Sequence, residues 1–571
     1  MSSQKPVLIL GAGVNGACTA RELALNGVPV WIVDKFDITF GATAKSSRLI
    51  HGGLRYLEYG DTALVHESLD ERARLLKLAP QYVKPVKLYI PVRRRFGGLL
   101  SAGLKFTRLT RTGFGAKAAK VLGGERGLET VRMGLRMYDF LSRGGGLPSH
   151  SVVRVGEAGP KVDASRFHWL AAYYDAQMLW PERFTLAVLE DARRAADEKG
   201  VEFRVLTHHR AKLVNGVVEL RPTDPAPGSA VETLKLTPST IVNATGAWGD
   251  HTLKDLPAPT KRLFGGTKGS HIFTHQPALV QALNGEAVYA EADDGRLVFI
   301  LPFEDSVLIG TTDERFETTP DQAVTTQQEI EYLVEMVNDV FPGVKLTADD
   351  IDAHYSGVRP LPYQADGTTG SIPRGHWIES TVTEGVPIDT LIGGKLTTCR
   401  ALGEETADRI LARLFIPRAV STRDRPIPGA DGLSQDVAAN DRYWNEVASA
   451  TGFSKETAVA CGKLVGSRAR GILAAIREPQ DRELIFGTHF PRGFVRFVIG
   501  SEWVADLDDL VERRLMLTDR RHVAKSTLRQ LAEFFPQADA ETAIRTCTNR
   551  LLQFYGVRVT RDEAVLAGAS G

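Results

Sequence analysis

Residues 6–35, PVLILGAGVNGACTARELALNGVPVWIVDK, restrict the fold more than any other part of the chain. The unbroken apolar run VLIL reads as a buried strand. Gly11, Gly13 and Gly16 follow it at G-x-G-x-x-G spacing. In that pattern the first glycine makes a tight turn, the second lets a pyrophosphate approach the backbone, and the third brings helix and strand into close packing. A helix follows with its first amides turned toward the phosphates, and Asn26-Gly27 ends it. The second strand, VPVWIVD, closes on Asp34, where a carboxylate is expected to accept hydrogen bonds from a ribose. This order of elements predicts a Rossmann-like α/β unit that binds a dinucleotide.

The fingerprint by itself admits NAD or FAD. Two distant segments favour FAD. TIVNATGAW (240–248) is an apolar strand running into a small-residue turn, which puts Ala244, Thr245 and Gly246 beside the cofactor. DTLIGGKLTTCRALGEETADRILARL (389–414) is a strand, a glycine turn and a long helix, with Gly394, Lys395, Leu396 and Thr397 at the turn. That second helix N-terminus can face the electron-rich edge of a flavin. Returning to the cofactor after so long a detour implies a discontinuous unit with other structure inserted.

A chain of 571 residues has room for several domains and a sizeable core. Its 43% apolar and 24% charged residues are those of an ordinary soluble globular protein. The net charge of +1 implies no general attraction to nucleic acid, and no such partner is expected. The four cysteines, Cys18, Cys399, Cys461 and Cys547, show no CxxC spacing and no His/Cys cluster. That argues against a disulfide framework or a metal site and fits a reducing cytoplasm. MSSQKP has none of the parts of a signal peptide, and no run reaches the roughly 18–20 apolar residues of a membrane span. The expected location is cytoplasmic, free or peripheral on the inner face of the cytoplasmic membrane.

The segments GAGVNGA, SSRLIHGGLRYLE, VNATGAW, KGSHI, IGTTD, YSGVRPL and GGKLTTCR, in that order over roughly residues 6–415, resemble the FAD-dependent glycerol-3-phosphate dehydrogenases, within the wider glycine-oxidase-like flavoproteins. A weaker likeness continues through GSEWVADLDDLVERR (500–514). The resemblance implies oxidation of sn-glycerol 3-phosphate at C2 to dihydroxyacetone phosphate, with hydride transfer to FAD and onward passage of electrons to membrane quinone.

Such chemistry needs cations for a phosphate dianion, a base for the C2 hydroxyl proton and a protected flavin face. Arg55 and Tyr56 lie in LIHGGLRYLEY (49–59), a glycine bend too costly in backbone entropy for a good helix or strand, directly before the helix-forming run at 64–79. Arg359 follows a strand-like AHYSGV and precedes Pro360, which holds its neighbour extended. Arg374 is a further cation that the family pattern suggests, and Lys395 sits where it can touch substrate or flavin. Arginine suits phosphate because its planar fork matches two oxygens and keeps its charge. Arginine does not deprotonate at usable pH, so the base is expected to be a histidine. His271 and His51 are the motif candidates; His271 is preferred, and His51 is expected to pack beside the isoalloxazine or orient Arg55. Ser46 and Ser47 are expected to donate to the FAD phosphates, and Gly52 and Gly53 to let the backbone pass close to the flavin.

Three departures from the family pattern stand out. The ribose acid is Asp34 where a Glu is usual. Leu-Trp-Pro-Glu in YYDAQMLWPERF (173–184) stands where an Asp-Asp pair is expected to cap a helix, and Cys399 replaces a bulkier aromatic. The domain reading is a discontinuous FAD-binding domain over 1–80, 166–260 and 351–415. An α+β substrate cap with an antiparallel sheet takes 81–165 and 261–350, and a helical domain takes 416–571, entered by a Pro/Gly-rich linker at 415–432. That last domain is read as packing, or as a homodimer contact. From 81 to 120 the chain carries ten Lys/Arg and no acid around a short apolar stretch, a segment suited to an anionic headgroup layer. Two other readings compete: a related FAD oxidoreductase or oxidase with another phosphorylated polyol or oxygen, and a non-catalytic flavin-binding scaffold.

Overall fold

A computed structural model describes residues 4–57, 61–96, 127–223, 232–258, 261–291, 297–365, 369, 372–519 and 523–560; the side chains of Arg55 and Tyr56 lie outside the described residues. The apolar run after Pro6 becomes the strand Val7–Leu10, central in a sheet of order Trp377–Thr383, Val386–Ile392, Thr240–Asn243, Val7–Leu10, Val30–Val33, Phe203–Leu206. Val7 pairs in parallel with Thr240 on one side and Val30 on the other, while the edge hairpin is antiparallel. Strands covered on both faces have no polar side to present, which is why these read as continuous hydrophobic runs. The helix Val14–Leu25 lies between the helices Pro181–Lys199 and Cys399–Arg413. At the second seam a Cβ on Gly403 would lie 2.7 Å from the Cys18 Cβ. Cys399 is fully buried facing Cys18, in a seam too tight for an aromatic ring.

A second, larger sheet roofs the first. Its order is Glu314–Arg315, Thr267–Thr274, Ser306–Gly310, Leu297–Phe303, Ala287–Glu291, Val83–Val92, Trp169–Met178, Leu49–Ile50. Ala353–Arg359 also pairs with Thr267–Thr274, and Ser151–Arg154 with Trp169–Met178. The sheet is antiparallel except where Ala287–Val288 run beside Leu88–Tyr89. Ala287–Glu291 and Leu297–Phe303 pair with Val288 opposite Ile300; Asp294-Gly295, a hairpin turn signal in the sequence between them, lies outside the described residues. The amphipathic pattern at 325–341 becomes the helix Gln327–Val340, opened by a capping box between Thr326 and Glu329.

The strands at 169–178 and 353–359 were grouped by sequence with the FAD-binding unit, but both hydrogen-bond into this roof through long antiparallel registers. Within the basic segment 81–120, Val83–Val92 is an interior strand between two others, not a headgroup-facing stretch. Its period-two alternation decides the matter over its charge: Val86, Leu88 and Val92 are buried on one face, while Lys87 on the other reaches Glu286 at 3.6 Å. Residues 97–126 of that region lie outside the described residues.

The C-terminal region is helical, with Val437–Thr451, Lys455–Val465, Arg492–Ser501, Lys525–Ala532 and Ala540–Tyr555 as main helices. Its entry is no loose linker. Arg418 pairs with Glu22 at 2.6 Å, and Arg425 and Arg21 share the buried Asp191 at 2.7 and 2.8 Å. Burial raises the Asp191 pKa, but Arg425 and Arg21 outweigh it and hold the carboxylate near about 2. Further on, Arg514 grips the fully buried Asp37 through both terminal nitrogens at 2.7 and 2.8 Å, and Arg513 adds 2.6 Å. Arg183 and Glu502 form another buried fork at 2.6 Å. Removing one partner of such a pair leaves a buried charge and costs about 3–5 kcal/mol.

His208 reaches Asp509 at 3.1 Å across the same junction. Burial lowers its pKa, yet the hydrogen bond and charge of Asp509 outweigh that and push it from 6.5 to about 9. The stabilisation from this pair is therefore fully present below pH 6.5 and is lost as pH rises through about 9. Thermal melts of wild type and His208→Gln across that range are expected to show a Tm gap that closes with rising pH; a gap independent of pH would refute the pairing.

Candidate active site

The carboxyl ends of the parallel strands and the underside of the roof enclose a cavity of about 630 Å³. Its near end is the first glycine turn. Gly11 has φ +105°, and a Cβ there would sit 2.5 Å from the carbonyl oxygen of Ala244. A Cβ on Gly16 would sit 2.1 Å from the Gly11 oxygen, so Gly16 serves packing and does not line the cavity. Gly13 begins the helix with no side-chain cap, while the Val14 amide donates to Thr43 Oγ1 at 3.1 Å. Asp34 lines the wall, and its carboxylate accepts from the amides of Ala12 at 2.8 Å and Phe36 at 2.9 Å. Burial raises its pKa against those two amides. Ala244, Thr245 and Gly246 line the adjoining stretch.

The second glycine turn meets the first. Gly393 and Gly394 have φ +77° and +92°, and a Cβ on Gly394 would fall 2.7 Å from Asn15 Nδ2. Lys395, Leu396 and Thr397 follow along the wall before the helix begins at Cys399. Lys395 Nζ donates to Ser68 Oγ at 2.6 Å. Burial lowers its pKa to about 8 against the raising charges of Glu67 and Asp61.

The bend at 49–59 joins the roof through Leu49–Ile50, turns at His51–Gly53, and forms one helical turn at Leu54–Leu57. The His51 amide donates to Thr397 Oγ1 at 3.1 Å, which staples the bend to the second glycine turn. His51 lines the cavity, whereas Gly53, with φ +78°, lies behind it. Burial pushes the His51 pKa down to about 4, with Asp175 opposing and Lys395 adding to the fall. Ser46 and Ser47 line the wall. The Ser46 hydroxyl accepts from the Arg48 amide at 3.2 Å, and Ser47 Oγ is hydrogen-bonded to His271 Nε2 at 2.9 Å. Ser47 is thus engaged with the histidine, a second task beside any phosphate.

His271 lies on the roof strand Thr267–Thr274, buried, its ring 5.0 Å from that of Tyr355. Burial, then the charges of Arg359 and Arg48, hold its pKa well below the ordinary value, so the imidazole is neutral at neutral pH. Its neighbours are held by a carboxylate that sequence reading missed. Glu329 accepts from Ser270 Oγ and Thr312 Oγ1, both at 2.8 Å, and from Lys268 at 2.8 Å. The Glu329 signal in the sequence was its capping-box spacing, which says nothing of this second task.

Arg359 donates to Asp313 Oδ1 at 3.0 Å and Thr311 Oγ1 at 2.9 Å, and Arg374 reaches Asp313 Oδ2 at 3.4 Å. Burial raises the Asp313 pKa, but the two guanidiniums outweigh it and hold the acid ionised. Arg359, Arg374, Lys395, His51 and His271 therefore line one cavity, while the side chains of Arg55 and Tyr56 lie outside the described residues. Arg48, also on this wall, pairs with Glu182 at 3.3 Å. Where an Asp pair was expected to cap the following helix, Pro181 opens it and Glu182 turns to Arg48 instead.

A long nucleotide fits this cavity. Its two glycine turns admit no Cβ without a clash, and Asn15 Oδ1 and His271 Nδ1 are buried in its wall without hydrogen-bond partners among the described residues. The family model described as FAD dependent oxidoreductase matches residues 6–409. The chain belongs to that family.

Among curated relatives of this FAD-dependent oxidoreductase, a glycerol-3-phosphate dehydrogenase of Synechocystis sp. is 33% identical over 89% of this chain and 88% of its own. A D-erythritol 1-phosphate dehydrogenase of Brucella abortus is 30% identical over 91% of this chain and 96% of its own. The X-ray structure of a Bacillus halodurans glycerol-3-phosphate dehydrogenase complexed with FAD superposes with a TM-score of 0.69 at 20% identity, covering 96% of this chain and 95% of that one, and supports the fold.

FAD, when bound, supplies a two-electron acceptor. The wall contributes cationic groups at Arg359, Arg374 and Lys395 and a neutral imidazole at His271. Gly11→Ala would place a methyl against the Ala244 carbonyl in a backbone conformation only glycine adopts readily. Flavin absorbance per purified protein is expected to fall at least tenfold in this variant; full flavin content would overturn the cradle assignment.

Proposed function

We propose that this FAD-dependent oxidoreductase oxidises sn-glycerol 3-phosphate at C2 to dihydroxyacetone phosphate and passes the electrons to a membrane quinone. The observation that carries this reading is the pairing of Arg359 and Arg374 about one carboxylate on the wall that also holds His271. In this reading Arg359, Arg374 and Lys395, together with Arg55 and Tyr56, bind the phosphate and orient C2. His271 takes the hydroxyl proton on Nδ1, the ring nitrogen that Ser47 leaves without a partner among the described residues, while Ser47 holds the ring through Nε2 and His51 lies beside the flavin. The glycines of the two turns, Asp34, Ser46 and the 244–246 and 394–397 segments hold the cofactor. The discontinuous FAD-binding unit then lies under a cap that includes the strands at 169–178 and 353–359, with the helical region strapped to both.

Attachment to a membrane surface is supported by the helix Leu128–Leu141, which exposes Met133 (53%) and Phe140 (60%) beside exposed Arg136, near Phe96 (66%). No described helix is long and apolar enough to cross a membrane. Apolar tips among arginines match the headgroup layer of an anionic bilayer.

Anaerobic mixing with glycerol 3-phosphate is expected to bleach the bound flavin. A longer polyol phosphate that reduces it faster would move the substrate assignment, and failure of every polyol phosphate would overturn it. Arg359→Ala is expected to raise KM about 30–100-fold with FAD retained, the loss of roughly 2–3 kcal/mol of charge-assisted hydrogen bonding; unchanged KM contradicts the phosphate role. His271→Ala should slow flavin reduction about 10²–10⁴-fold. Because burial and two arginines keep His271 neutral, the wild-type rate should stay flat as pH falls through 6.5 and drop only in more acid solution. A midpoint at or above that pH argues for another base. Vesicle flotation should show more binding to anionic than to neutral lipid, and equal binding dismisses the electrostatic docking.

A further inference from the structure

The amide of Gly52 lies between His51 on the cavity wall and Gly53 behind it, at the tightest point of the bend. A Cβ on Gly52 would fall 2.4 Å from Leu69 Cδ2 and 2.5 Å from the Tyr138 hydroxyl. The amide donates to Tyr138 Oη at 3.0 Å and, at 3.3 Å, to Asp175 Oδ1. Tyr138 in turn donates to Asp175 Oδ1 at 2.6 Å. Arg72 Nη1 donates to the same Asp175 oxygen at 2.6 Å and to the Tyr138 hydroxyl at 3.3 Å. All three side chains are buried. They come from the helix Thr62–Leu78, the helix Leu128–Leu141 and the roof strand Trp169–Met178, so three separate elements converge on one backbone N–H.

Within the set only Arg72 Nε is left without a hydrogen-bond partner among the described residues. The tyrosine hydroxyl donates once and accepts twice, and the arginine neutralises the aspartate. On its other side the bend is stapled by Thr397 Oγ1, which receives the His51 amide at 3.1 Å. The His51 imidazole is thus carried on a backbone gripped by the second glycine turn from one direction and by the buried cluster from the other.

We infer that Tyr138, Asp175 and Arg72 are positioning residues: they fix the His51–Gly53 bend, and through it the His51 ring, against the flavin-binding cavity. None of the three lines the cavity, so their effect passes through the bend. Displacement of a positioned group by about 1 Å can cost about 10²-fold in rate, whereas a cluster serving stability alone would leave the chemistry of the folded enzyme intact. Burial and the adjacent carboxylate hold the Tyr138 pKa well above its ordinary value, so the hydroxyl stays a donor across the working range.

The decisive variant is Tyr138→Phe in the FAD-loaded full chain, which deletes one hydroxyl and keeps the ring that packs edge-on against Tyr173. Hydrogen exchange of the peptide containing Gly52 is expected to quicken about tenfold, with exchange in Val7–Leu10 unchanged. The reduction potential of the bound flavin should shift, and flavin reduction by glycerol 3-phosphate should slow about tenfold with KM within twofold. Arg72→Lys, which keeps the charge but loses the planar guanidinium whose Nη1 reaches both Asp175 and Tyr138, is expected to give the same pattern more weakly and serves if Tyr138→Phe does not accumulate. Unchanged exchange at the bend, or altered exchange with unchanged potential and reduction rate, overturns the inference. The kinetic arm rests on the substrate reading above: a wild type that glycerol 3-phosphate does not reduce sinks that reading alone, while exchange and potential still decide the role of the cluster.

Discussion

The whole arrangement depends on close approach at the two glycine turns. Gly11 meets the Ala244 backbone, Gly16 meets the Gly11 backbone, and Gly394 meets the Asn15 side chain, each closer than a Cβ permits. Those contacts bring the carboxyl ends of the parallel strands together and leave between them the concave floor of the cavity. Ligands of open α/β sheets bind outside the carboxyl ends of the strands for this reason. A methyl group at any of the three glycines would separate the turns before it disturbed anything else.

Above that floor, buried acids do most of the orienting. Asp37, Asp191, Glu502, Asp175 and Glu329 are each buried and each held by arginine or lysine from a distant part of the chain. A buried pair adds little net stability, but losing one partner is expensive. The alternative packings that would unpair these groups are therefore disfavoured. In this way the roof strand bearing His271 is tied to the helix Gln327–Val340, and the strap at 415–432 and the segment at 507–514 to the dinucleotide-binding layer. The helical region, which shows no chemistry of its own in sequence, grips the loop after the second strand through Arg513 and Arg514 on Asp37.

Much of this was legible in sequence. The first glycine turn, the 240–248 strand and turn, the second glycine turn and the capped helix at 327–340 all depend on neighbours a few residues away, and glycine spacing or apolar period reports them directly. The strands at 169–178 and 353–359 were assigned to the FAD-binding unit because their partners lie far along the chain, and at 83–92, placed in the cap, the lysines drew attention from the alternation. Ser47 was read as a phosphate donor. Its contact with His271 joins residues 224 positions apart, and no local pattern carries that information.

What the sequence determined alone was the βαβ dinucleotide unit and a second glycine turn that favours FAD over NAD. Those follow from where backbone without a Cβ is required. What the tertiary structure decided was which charged groups meet. With 70 basic and 69 acidic residues, nearly every acid has many conceivable partners. Only the folded chain selects Asp313 for Arg359 and Arg374, and Asp175 for Arg72, Tyr138 and the Gly52 amide. Charge is long-ranged and indifferent to sequence distance, so its pairing is settled by packing.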